Sequence, residues 1–141
     1  MRFTLLILLA LSGSAGAQPK PPPKAALDRY AKELDYLEQA CMRTDCFSDQ
    51  RYWRESLKVA RRTDPGIVHA VMLRSRKWQD EEGLVYVPLL ALLPRPAVTK
   101  ILREWEQSRR ELDRIWAHEF FVEFDSDDVK DAVRVLSGSE P

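Results

Sequence analysis

The sequence predicts a single small all-α domain of five to six helices, bundle-like or irregular, carrying one disulfide and following a cleaved signal peptide. Three observations lead there. Apolar residues recur at three- and four-residue steps through most of the chain from Ala25 to Leu136, which is the spacing of one helix face. Short polar and proline-containing segments such as Thr63-Asp64-Pro65-Gly66 and Asp125-Ser126-Asp127-Asp128 punctuate those runs, as helix starts and stops do. Cys41 and Cys46 are the only cysteines, and behind an export leader such a close pair reads as a disulfide.

The leader is residues 1–17. Met1 and Arg2 give a positive start, Phe3 to Leu11 is apolar apart from Thr4, and the segment ends Ala15-Gly16-Ala17. An apolar run this short does not span a bilayer, and cleavage is expected after Ala17. With no cysteine at the cleavage site, the product is expected to be a released periplasmic or secreted chain without a stable membrane span. Cleavage removes Arg2 alone among the charged residues, leaving 21 basic and 22 acidic side chains, a formal charge of −1. So even a balance argues against a nucleic-acid partner, which calls for a basic excess.

Residues 18–24, Gln-Pro-Lys-Pro-Pro-Pro-Lys, form a proline-rich spacer with an extended polyproline preference. The helical domain is expected over residues 25–137, with 138–141 as a tail. Leu27, Tyr30, Leu34, Leu37 and Cys41 make the seam of the first helix, and the disulfide fixes the turn that follows. A redox pair would have two intervening residues rather than four, and a metal site would need histidines nearby. Ser48 reads as the N-cap of a second helix from Asp49 to about Arg62, whose apolar face of Tyr52 or Trp53, Ser56, Leu57 and Ala60 is thin. Asp64-Pro65-Gly66 then starts a third helix buried through Ile67, Val68, Val71 and Met72.

Leu84 to Leu93 is apolar almost throughout. Pro88 forbids a central strand, so a turn or extended piece to Val87 and a short helix from Pro88 to Leu93 are expected in the middle of the core. The longest regular pattern follows, from Pro96 to about Phe124, and reads as one amphipathic helix around which the others pack. Val98, Ile101, Leu102, Trp105, Leu112, Ile115, Trp116, Phe120 and Phe124 mark its apolar side, with Trp105 and Trp116 at nearly one azimuth. Val129, Ala132, Val133 and Leu136 define a last short helix, capped from Asp125-Ser126-Asp127-Asp128. That cluster lacks the ligand and glycine spacing of a calcium loop, so helix capping explains it.

Little in the chain points to catalysis. The region after the leader has no Gly-x-Ser-x-Gly motif and no phosphate-cradling glycine loop, and its two histidines, His69 and His118, are far apart. No metal or cofactor is implied, no catalytic residue is assigned, and no motif is specific enough to place the chain in a family. Charge is unevenly distributed: residues 51–77 hold eight basic side chains against Glu55 and Asp64, and residues 118–131 hold six acids against Lys130. The segments either meet within the fold or face separate charged partners. Trp78, in a polar turn without other large apolar neighbours, reads either as the lid of the core or as an exposed contact residue. Together with Arg51, Arg54, Lys58, Arg74 and Arg76 it makes the candidate binding set. The function expected is non-catalytic: an exported helical protein that binds another protein in the envelope or outside, as an inhibitor or immunity factor would. An envelope enzyme acting on cell-wall or other anionic material, and a structural or assembly factor, are the competing readings.

Overall fold

A computed structural model describes residues 19–77 and 80–138. The leader, residues 1–17, lies outside the described residues, as do Trp78 and the last three positions of the tail. Seven α-helices follow in order: α1 (Lys24–Met42), α2 (Gln50–Arg61), α3 (Ile67–Ser75), α4 (Val87–Leu92), α5 (Arg95–Trp105), α6 (Glu111–Phe124) and α7 (Asp127–Gly138). Two 3₁₀ turns, Cys46–Ser48 and Asp80–Tyr86, complete the connections, and there is no strand among the described residues. The all-α class stands, with one or two more helices than the sequence suggested.

The extra helix comes from a break in the long pattern. The stretch from Pro96 to Phe124 is not one helix: α5 ends at Trp105, and α6 begins at Glu111. Ser108 makes the break. Its hydroxyl donates to Asp113 Oδ2 at 2.7 Å and accepts from the Arg110 amide at 3.2 Å, while its carbonyl accepts from Arg114 Nη1 at 2.7 Å. A short polar side chain that bonds the nearby backbone and the next helix start offers an alternative to helical pairing. Arg76 reinforces it across space, donating from Nε and Nη2 to the two oxygens of the buried Asp113 at 3.0 and 2.9 Å.

With the break, α6 is rolled relative to the expected stripe. Its buried side is Asp113, Trp116, Ala117, Phe120 and Phe124, an i, i+3, i+4, i+7, i+11 face. Leu112 and Ile115, expected inside, are exposed. Trp105 and Trp116 are both core residues: Trp105 lies beneath the Arg76 guanidinium, 5.4 Å from the ring centre, and Trp116 packs on Phe120.

One core cluster draws buried apolar side chains from all seven helices. At its centre is α4, which touches α2, α5, α6 and α7 and buries Val87, Pro88, Leu89 and Leu90. Burying a Leu- or Val-sized side chain is worth about 1.5–3 kcal/mol, so a helix of six residues is held by its surroundings rather than by its own hydrogen bonds. Tyr52, fully buried on α2, donates its hydroxyl to the Val85 carbonyl and so ties α2 to the turn before α4.

Several helix starts shift by a residue or two from those the sequence predicts: α2 at Gln50, α3 at Ile67 and α4 at Val87. Asp49, not Ser48, caps α2, accepting from the Arg51 amide at 2.8 Å; Ser48 belongs to the preceding 3₁₀ turn. Ser126 Oγ accepts from the Val129 amide at 3.3 Å at the start of α7. The Cys41–Cys46 pair, Cα atoms 4.4 Å apart, closes the turn between α1 and α2, and there is no free cysteine among the described residues.

Candidate functional site

The basic side chains singled out from the sequence separate into two groups. Arg74 is taken up inside the fold. Its Nη1 reaches Asp35 Oδ1 at 2.8 Å, Glu38, and the Tyr86 hydroxyl at 3.3 Å, and Tyr86 itself donates to Glu38 at 2.6 Å. Burial, and then Glu38 as acceptor, push the Tyr86 phenol well above its ordinary range. Arg76 is likewise committed to Asp113, and burial of that carboxyl is outweighed by Arg76 and Ser108, which keep it below the usual carboxylate range. Both arginines therefore act as ties between helices, α3 to α1 and α3 to α6.

The second group stays at the surface. Arg51, Arg54 and Lys58 stand at i, i+3 and i+7 on the outer face of α2. With Arg43 just past the end of α1, they line a shallow cleft of about 350 Å³, floored by Ala40, Thr44 and Glu55. Arg51 bonds Asp49 through Nη2 at 2.7 Å, and Lys58 bonds Glu55 at 3.1 Å. Glu55 also accepts from the Tyr36 hydroxyl, the main cause of its lowered pKa. Arg43 acts on Glu55 through its charge alone, and Arg54 makes no side-chain hydrogen bond or ion pair among the described residues. Sequence reading found three of these four cations and missed Arg43, whose position over the α2 face depends on the turn closed by the disulfide.

The basic and acidic segments do not neutralise each other through these residues. Arg51, Lys58, Arg62, Arg74 and Arg76 pair with Asp49, Glu55, Glu33, Asp35 with Glu38, and Asp113 respectively, none of them in 118–131. Three of the six acids of that segment, Glu123, Asp128 and Asp131, line a second surface feature instead. A groove of about 610 Å³ runs between α7 and the start of α2. Trp53, Val129, Ala132 and Leu136 form its floor, Phe47 and Val135 its apolar walls, and Glu123, Asp128 and Asp131 its rim. Phe47 is 47% and Val135 48% exposed, while Trp53, Val129 and Leu136 are packed into the core beneath. The Trp53 indole is fixed by its N–H, which donates to the Phe47 carbonyl at 2.8 Å.

The groove has the size range of ligand sites, a few hundred to about 1,000 Å³. Sequence reading missed it because its walls come from a 3₁₀ turn and two helices about 80 residues apart in the chain. Its one signal was the thin apolar face noted for α2. His118 and Glu119 lie elsewhere, exposed beside Ile115, whereas Glu123 lines the groove. No group of three or more His, Cys, Asp or Glu side chains among the described residues is placed to hold a metal ion, and no helix there is long and apolar enough to cross a membrane.

Fold and surface together define a small all-helical protein with one cystine turn and two unlike faces, a basic cleft and an acid-rimmed apolar groove. No family model, curated protein or solved structure matches the chain.

Proposed function

We propose that this is an exported, non-catalytic protein that binds another protein in the envelope or outside the cell, in the manner of an inhibitor or immunity factor. The observation that carries this reading is the groove, where apolar side chains of a packed helical body lie open beside charged ones. Soluble surfaces rarely leave a contiguous apolar recess rimmed by polar groups without a contact to make. Export is supported by the form of residues 1–17 and by the Cys41–Cys46 pair, a bond that persists in oxidising compartments.

The basic cleft favours a second reading, capture of an anionic envelope component by Arg43, Arg51, Arg54 and Lys58. A pull-down from envelope extract with three forms of the protein separates the two. On the first reading Val135→Asp loses the captured protein and Arg54→Glu keeps it; on the second the pattern is reversed. Retention by both variants, or no specific capture by the unaltered protein, would count against both.

A further inference from the structure

Among the described residues, the charged side chains on the rim of the groove are all acids. Glu123, Asp128 and Asp131 face it, Ser48, Gln50 and Ser126 supply its neutral polar groups, and no basic side chain of the described residues lines it. Asp128 lies in the first turn of α7, where a carboxylate is favoured by the positive end of the helix dipole. Glu123 has no such explanation. It lies in the last turn of α6 with Asp125 as the following cap residue, at the negative end, where carboxylates are unfavourable. Neither Glu123 nor Asp128 has a side-chain partner among the described residues, and Asp131 meets only Arg134 of its own helix, in a pair that is 61% and 77% exposed. Such an exposed pair contributes little and is readily exchanged for a better one.

The shape fits a rod. From Asp128 to Leu136 the groove follows α7 over nine residues, eight steps of ~1.5 Å or roughly 12 Å, and its floor residues Val129, Ala132 and Leu136 repeat at helical spacing. A helix seated alongside α7 would place an apolar stripe over Trp53 and Val135 and its flanking side chains against the acids.

We infer that the groove receives a cationic amphipathic helix of a partner protein, with an apolar stripe on the floor and Lys or Arg side chains paired to Glu123, Asp128 and Asp131. This rests on the protein-binding reading above and names the partner's chemistry. The net charge near zero keeps the rest of the surface from drawing basic peptides indiscriminately, so selectivity comes from stripe and rim together.

The test uses the protein purified as it occurs after export and three labelled synthetic peptides of about 14 residues, enough for nearly four turns. One has Leu at helical spacing and Lys elsewhere, one has Glu in place of Lys, and one has the Leu and Lys residues scrambled so that no stripe forms. Anisotropy titrations are expected to show the striped Lys peptide binding about tenfold or more tightly than either control, and weakening as salt rises. The double variant Glu123→Lys, Asp131→Lys, both at exposed or half-exposed positions, is expected to prefer the Glu peptide, with circular dichroism confirming the fold. Equal binding of striped and scrambled Lys peptides, or an unchanged preference in the double variant, overturns the inference. If Val135→Asp abolishes envelope capture and yet no Lys peptide binds, the partner chemistry is wrong while the protein-binding reading stands. Concentration-dependent dimerisation abolished by Val135→Asp would show a second copy in the groove and would likewise overturn it.

Discussion

Gly66 shows how closely single atoms are set at the turn into α3. Its φ of −58° suits any residue, so conformation is not the reason for glycine. Space is: a Cβ there would sit 2.5 Å from the Tyr30 hydroxyl and 2.8 Å from Asp64 Oδ1. Asp64 Oδ1 accepts from both Tyr30 at 2.6 Å and the Gly66 amide at 2.8 Å, locking α1 to the turn. Gly66→Ala is expected to cost about 1–3 kcal/mol in urea unfolding, as overpacking does, and Tyr30→Phe in the same chain should recover part of it. Strict additivity of the two changes would refute the steric account. The turn itself was legible from Asp64-Pro65-Gly66, but the crowding was not, because Tyr30 is 36 residues away. Ionisation at this scale sets a pH window. His69, with its pKa lowered chiefly by burial and countered by Glu104, uses Nδ1 to accept from Trp105 Nε1 at 3.1 Å. The unfolded chain therefore takes up the proton first, and stability falls as pH drops below about 6.5. Tyr30, pushed up to about 12 by burial and by Asp64, acts in the opposite direction: the unfolded phenol loses its proton first, and stability falls above about pH 10. Thermal melts across pH should give a plateau between these limits, and His69→Gln should flatten the acid shoulder that begins near pH 6.5. A shoulder unchanged in that variant would assign it to the carboxylates instead.

At the scale of elements, α6 is where the sequence pattern and the packing part company. Two stripes run along it. Leu112, Ile115 and Val122 make an apolar one that lies open, and Asp113, Trp116, Ala117, Phe120 and Phe124 make the one that is buried. Periodicity alone favours a stripe without a carboxylate, and the reach of Arg76 from the end of α3, with the Ser108 hydroxyl, makes Asp113 an acceptable core residue. The consequence is measurable by alanine substitution. Leu112→Ala and Ile115→Ala are expected within about 0.5 kcal/mol of the parent, as surface changes usually are. Phe120→Ala should cost about 3–5 kcal/mol. Large losses at Leu112 and Ile115 would restore the unbroken helix. By contrast α3 and α4 are legible to within a residue or two, since each is short and apolar, α3 opening just after Pro65 and α4 carrying Pro88 in its first turn and ending just before Pro94. The helix boundary at Ser108 was not, because a serine and two arginines are ordinary inside a helix until a partner elsewhere recruits them.

For the molecule as a whole, the sequence disclosed the helical class, the cystine turn and the unequal distribution of charge. It concealed which charges are structural. Arg74 and Arg76 look no different from Arg54 in a linear reading, yet they join helices through Glu38 and Asp113, whereas Arg54 faces outward. The groove was hidden for the same reason, since its walls meet only after the chain has folded. Its far wall has a property of its own. Although α7 has twelve residues, only Val129 and Leu136 are buried, while α4 is enclosed along most of its length. With only two buried anchors, α7 is expected to lose amide protection in hydrogen exchange before α4 does, and equal protection of the two helices would refute this. A recess with one wall held firmly and the other lightly yields on its lighter side before the body of the molecule gives way.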